Sequence, residues 1–218
     1  DTQVLIAPTF IPTLNFFRLI KVINDLSRTK NCYIFKEHYL KISDLFFSFL
    51  HILRRRKFLN SKFNYKKLDI SELVWKEIKN FNDFYSINIG LLNYKFFFRL
   101  TEKKVNICKS INWFENQIID KGWNLGFRKF YFKIENLSFG YQDFNKHYNL
   151  ISNSPSKMEY DSNVTPEKII IISKIFKKIT TEFFTKQKLI FGETFIFRNL
   201  INYKITHSEK KNKILLIL

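Results

Sequence analysis

Apolar residues recur along this chain in short blocks and in rhythms of three and four, as strands interleaved with amphipathic helices place them. The clearest rhythm is Ile118, Ile119, Trp123, Phe127 and Phe130, which predicts a helix over residues 118–128. Just before it, residues 104–108 turn apolar and β-branched after a charged run and predict a short buried strand. In chain order, 4–8 predicts a buried strand, 15–26 a helix carrying Phe16, Leu19, Ile20 and Ile23, and 31–35 a returning strand. Residues 40–58 read as one helix closed by a basic run, which suits the negative end of the helix dipole. A polar loop over 60–67 follows, and Asp69 and Glu72 form a capping signal for a helix over 73–81. Residues 87–100 are apolar and aromatic, as in a helix packed on a sheet.

Beyond the centre, 136–142 alternates like a strand, and Ser152, Ser154, Pro155 and Ser156 mark a connection. The uninterrupted run of Ile169, Ile170, Ile171 and Ile172 is typical of a strand covered on both faces, here 168–172. A helix over 175–184, a strand over 189–192, an apolar segment over 195–200 and a closing strand over 213–218 complete the series. A bare strand of buried type at a terminus lacks neighbours to cover it. It reads as a chain cut short at its carboxyl end, as Asp1 in place of Met reads as a missing start. The alternation as a whole specifies an α/β fold.

Composition narrows this only in part. Over 218 residues, 45% apolar and 18% aromatic content excludes a disordered chain. With 26 Phe and only 5 Gly, alongside many Lys, Asn and Ile, the residue usage follows an AT-biased genome, which weakens composition as a guide to function. The net charge of +18 points to a polyanion or an anionic membrane surface as partner. The lysines are scattered, and Arg54, Arg55, Arg56 and Lys57 form the dense basic run. That run reads either as a solvated helix end or as a contact for anionic lipid or phosphate, where each basic side chain contributes about 1 kcal/mol.

Cys32 and Cys108 lie far apart among apolar neighbours, which predicts buried, reduced thiols in a cytoplasmic protein. The four histidines show no metal-ligand spacing, and no metal or other cofactor is expected. No stretch reaches the roughly 18 apolar residues that a membrane-spanning helix needs, and the amino terminus lacks a signal-peptide pattern. A cytoplasmic chain, peripheral at most on the inner face of the cell membrane, is the expectation.

The candidate chemistry gathers between the predicted strand and helix at the centre. Glu115, Asn116, Gln117, Asp120 and Lys121 crowd the helix start, flanked by Trp113 and Trp123. In open α/β sheets ligands bind where loops leave the carboxyl ends of strands and helix amino termini face the cleft. Ordinary polar capping of a helix start accounts for the same residues.

The order of features from about residue 113 onward resembles a family of bacterial surface-carbohydrate biosynthesis proteins, of capsule or O-antigen type, that are themselves similar to two-lobed (GT-B-like) glycosyltransferases. The pieces carrying the resemblance are Trp113-Phe-Glu-Asn-Gln117, Asp120-Lys-Gly-Trp-Asn-Leu-Gly-Phe-Arg128, Gly140-Tyr-Gln142, Pro155 with Glu159-Tyr160, Val164-Thr-Pro-Glu-Lys168, Phe195-Ile-Phe-Arg198 and the closing Lys-Ile-Leu-Leu strand. Residues 1–100 carry none of it. Ser173 stands where such proteins tend to have Gly.

The resemblance implies a Rossmann-like parallel sheet with flanking helices as the first lobe, over 1–150. Residues 151–218 would be the interlobe connection and the start of a truncated second lobe. It implies sugar transfer from a nucleotide-sugar donor to a glycan or lipid-linked acceptor, with the donor-binding lobe largely absent. Glu115 would be the general base or acceptor anchor, and Asn116 and Gln117 would hydrogen-bond sugar hydroxyls. Lys121 and Arg128 would neutralise phosphate, with Asp120, Gln142 and Glu159 completing the substrate contacts.

Two readings from other classes stand beside it. One is a basic RNA-binding or ribosome-associated protein, in which the aromatics of Asn93-Tyr-Lys-Phe-Phe-Phe-Arg99 stack on bases. The other is a noncatalytic scaffold held on a membrane surface by residues 54–57.

Overall fold

The computed structural model describes residues 4–9, 15–65, 67–80, 82–132, 137–143 and 151–194. The segments at 195–200 and 213–218, with His147 and His207, lie outside the described residues. Among those described, the chain opens with strand β1 (Leu5–Ile6), helix α1 (Phe16–Ser27) and strand β2 (Cys32–Tyr33), which pairs parallel with β1. Helices α2 (Ile42–Phe49) and α3 (His51–Arg55) follow, then a hairpin of β3 (Asn64–Tyr65) and β4 (Leu68–Asp69). Next come α4 (Ser71–Asn80) and the long α5 (Phe84–Glu102).

The second half is an α/β unit of strands β5 (Lys109–Trp113), β6 (Leu137–Gln142), β7 (Lys168–Ile171) and β8 (Lys188–Phe191). Helices α6 (Ile118–Phe130), α7 (Lys157–Asp161) and α8 (Lys177–Thr180) lie between them. The four strands form one parallel sheet in the order β5-β6-β7-β8. Each connection therefore advances one place in the same direction, and the sheet runs unbroken across residue 150, with Phe139 opposite Lys168.

Two cores hold these parts. In the first, α5 and α6 bury Phe96, Phe97, Leu100, Phe127 and Tyr131 around Ile34, with the Trp123 ring edge-on to Phe97 at 4.7 Å. The helices touch because glycines face each other. A Cβ on Gly122 would lie 1.9 Å from the Gly90 carbonyl oxygen, and one on Gly126 would lie 2.9 Å from the Phe97 ring. Asn93 fastens the same contact, donating to the Ile119 carbonyl at 3.2 Å and accepting from the buried Lys36 ammonium at 2.9 Å.

The second core lies at the sheet, where Phe114, Ile169 and Ile171 are fully buried. Gly140 leaves the space that Phe114 fills, since a Cβ there would come within 2.7 Å of it. Phe114 thereby anchors the loop that carries Glu115.

Several expectations are corrected. The strand expected at 104–108 begins instead at Lys109, because α5 runs on to Glu102 and needs a turn to stop. Lys104 adopts φ 57°, Lys104 N–H bonds the Thr101 carbonyl at 2.9 Å, and Val105 N–H bonds the Leu100 carbonyl at 3.0 Å. This is a Schellman ending, and its apolar follower is Val105. The apolar residues Val105 and Ile107 thus pack on the helix core, and Cys108 is exposed, as is Cys32.

Strand β1 is exposed too, being two residues paired on one side. The helix expected over 40–58 breaks at Leu50 and finishes as a 3₁₀ turn over Arg56–Phe58. The loop expected over 60–67 contains β3. The helix expected over 175–184 contracts to a 3₁₀ turn, Lys174–Phe176, and the four residues of α8.

Candidate functional site at the carboxyl edge of the sheet

Strand β5 ends at Trp113, and the four following residues turn the chain into α6. The turn is made by Asn116, whose φ of 60° is the left-handed conformation that Asn tolerates better than most residues. Asp120, in the first turn of α6, accepts from Glu115 N–H at 2.8 Å and Gln117 N–H at 3.1 Å. Burial raises the Asp120 carboxyl to about 6, with the Glu115 charge adding to the rise and the two amides opposing it.

The Glu115 carboxylate is half-buried and held on both oxygens, by the Trp113 indole N–H at 2.7 Å and by the Gln117 amide at 2.7 Å. Trp113 is 47% exposed and Gln117 is exposed, so indole, carboxylate and amide form one row open to solvent. Trp123 is turned away, its indole N–H donating to Ser110 Oγ at 2.9 Å.

The remaining expected site residues converge on a single segment, residues 152–165, and are engaged by it. Asn116 donates to the Ser152 carbonyl at 2.9 Å and lies 3.4 and 3.5 Å from the two Glu159 oxygens. Lys121 pairs with Glu159 Oε1 at 2.6 Å, and the other Glu159 oxygen accepts from Ser156 N–H at 2.7 Å. Burial would raise Glu159, but the Lys121 hydrogen bond and the Ser156 contacts outweigh it and hold the carboxyl below its usual range.

Gln142, at the end of β6, donates to the Asn153 carbonyl at 3.2 Å. Arg128, two turns further along α6, reaches the Thr165 and Tyr160 carbonyls at 3.1 and 3.3 Å and lies over the Tyr160 ring. Four expected substrate contacts thus clasp the connector between β6 and β7 to the sheet. Glu115, Gln117 and Asp120 stay together at the start of α6.

Sequence reasoning passed over Asn124 and Asp143, both almost wholly buried at this edge. Asn124 donates to the Asp120 carbonyl at 2.9 Å, and Asp143 accepts from the Thr194 hydroxyl. The side-chain carbonyl oxygens of Asn116, Asn124 and Gln142 are buried and meet no donor among the described residues. Asp143 was findable as the acidic residue directly after an expected strand. Asn124 carried no signal, since one Asn inside a helix is usually solvated.

Two concavities stand out elsewhere on the surface. One, of about 750 Å³, is lined by residues 69–73 with Trp75 and Lys76; the other, of about 80 Å³, by Thr9, Lys36, Glu37, Leu40, Ile89, Leu92 and Asn93. Neither includes the carboxyl-edge residues. Among the described residues no group of three His, Cys, Asp or Glu side chains is placed to hold a metal ion. Within the stretch from Asn93 to Arg99, Phe96 and Phe97 are core and Arg99 is paired with Asp44, so these three side chains do not present stacking faces to bases.

No family model matches this chain, and neither a curated protein nor a solved structure does.

Proposed function

We propose that the chain belongs to a glycosyltransferase of surface-polysaccharide assembly and forms its acceptor-side, GT-B-like lobe. It would hand a sugar from a nucleotide-sugar donor to a glycan or lipid-linked acceptor. The observation that carries this reading is the row of Trp113, Glu115 and Gln117 at the carboxyl edge of a parallel sheet, beside the amino terminus of a 13-residue helix. Ligands of parallel α/β sheets gather at such edges. An exposed indole offers an apolar face to a sugar ring, while a carboxylate and an amide beside it hydrogen-bond hydroxyls.

In this reading Glu115 accepts the proton of the acceptor hydroxyl as that oxygen attacks the donor's anomeric carbon. The diphosphate departs towards positive groups. Asp120 fixes the 115–117 turn through two peptide N–H groups, and the Asn116 and Lys121 contacts with the connector hold that turn against the sheet.

The test replaces Glu115 by Gln in the producing cell and measures surface polysaccharide by gel electrophoresis, with circular dichroism as the fold control. Loss of the glycan with the fold retained is expected; unchanged polysaccharide overturns the proposal.

A further inference from the structure

Helix α2 is inside out. Its inward positions, Asp44 and Ser48, and His51 one turn further, are buried and polar. Its outward stripe is Ile42, Leu45, Phe46, Phe49 and Leu50, continued by Leu53 in α3, and all six are exposed, Ile42 by 73%, Phe46 by 63% and Phe49 by 61%. A surface helix of a globular protein normally shows the reverse.

On the inward face Asp44 and Ser48 are hydrogen-bonded, and His51 is held through one ring nitrogen. Arg99 grips Asp44 with two hydrogen bonds of 2.7 and 2.8 Å, Ser48 donates to Asn88 Oδ1 at 2.7 Å, and His51 Nδ1 lies 2.9 Å from the Ser48 carbonyl oxygen. Rolling the helix to hide its stripe would break a buried ion pair, so the apolar face is held outward by construction. The chain leaving that stripe enters the basic run, with Arg54 and Arg55 half-buried and Arg56 and Lys57 exposed.

We propose that α2, α3 and residues 54–57 dock on an anionic lipid bilayer. The stripe would enter the boundary between headgroups and acyl chains, and the exposed Arg56 and Lys57 would lie on the headgroup phosphates. Binding of a helical face in the plane of a membrane interface grows with its buried apolar area and with the attraction of nearby cations to anionic lipid, and this segment supplies both. Charge favours lipid over a second copy of the chain: a dimer through this face would join two molecules of charge +18, whereas an anionic surface attracts each of them. The contact lies in the plane, since among the described residues no helix is long and apolar enough to cross. This inference is independent of the carboxyl-edge reading, and neither depends on the other.

Co-sedimentation of the full chain with phosphatidylglycerol vesicles, against phosphatidylcholine vesicles, tests it. The Phe46→Ser/Phe49→Ser variant keeps the net charge and is expected to lose bound fraction by on the order of tenfold or more. The Arg56→Glu/Lys57→Glu variant is expected to lose a similar factor. Phe46→Trp adds a fourth tryptophan to the parent's three, and its emission after subtraction of the parent's is expected to shift to the blue on phosphatidylglycerol vesicles. Unshifted emission, or an apolar double variant that binds as the parent does, overturns the proposal. So does a dimer in sedimentation velocity that the same variant abolishes, which would assign the stripe to a second copy.

Discussion

Asp120 shows how one side chain ties site geometry to stability. Its folded carboxyl titrates near 6, above the ordinary range near 3.8, because burial disfavours the charge. A carboxyl raised on folding stabilises the protein fully below its unfolded value, and that stabilisation is lost as pH rises through 6. At 1.36 kcal/mol per unit the shift corresponds to about 2 to 3 kcal/mol. Asp120→Asn keeps an acceptor for the two amides and removes the titration. Urea unfolding at pH 4 and pH 7 is expected to show the variant gaining about that much on its parent between the two conditions; a constant difference would refute it.

Asp44 illustrates the opposite balance. Burial would raise its carboxyl, yet the Arg99 fork outweighs burial and holds it below the usual range. Arg99→Met would leave that carboxylate buried and unpaired. A loss of roughly 3 to 5 kcal/mol in urea-unfolding free energy is expected.

At the scale of elements, the α5–α6 contact depends on the absence of side chains. Gly122→Ala would force a methyl to 1.9 Å from the Gly90 oxygen, so the two helices must part and the aromatic core between them must loosen. A destabilisation of about 3 kcal/mol is expected, larger than the roughly 1 kcal/mol that alanine contributes to an isolated helix. Urea unfolding monitored by tryptophan fluorescence checks it.

The elements themselves were largely legible: the rhythm of Ile118, Trp123 and Phe127 gave α6, and the alternation ending at Gln142 gave β6. Where the pattern misled, tertiary packing outweighed local preference. Val105 and Ile107 close a helix ending against the core, and five residues with apolar side chains at 105, 107 and 108 cannot distinguish that from a strand. In α2 the periodicity was visible but its direction was not, since the partner of Asp44 lies 55 residues away at Arg99.

At the scale of the whole molecule, the parallel character of the sheet was legible from its interleaved helices, while its strand order was not. Order depends on which way each connection turns, and no residue in the loops encodes that alone. The site was legible in the same partial way. The chain marked the start of α6 as chemically dense, but it could not show that Asn116, Lys121, Arg128 and Gln142 would be engaged by the 152–165 connector and leave Trp113, Glu115 and Gln117 outward.

The sequential order of the sheet also bears on how the chain is made. In this sheet β6, β7 and β8 each pair with the strand translated just before them, and nascent segments leave the ribosome at about 5 to 20 residues per second. Each of these three strands therefore meets a finished neighbour as it emerges, and β5 alone among the described strands of this sheet waits for a partner made after it.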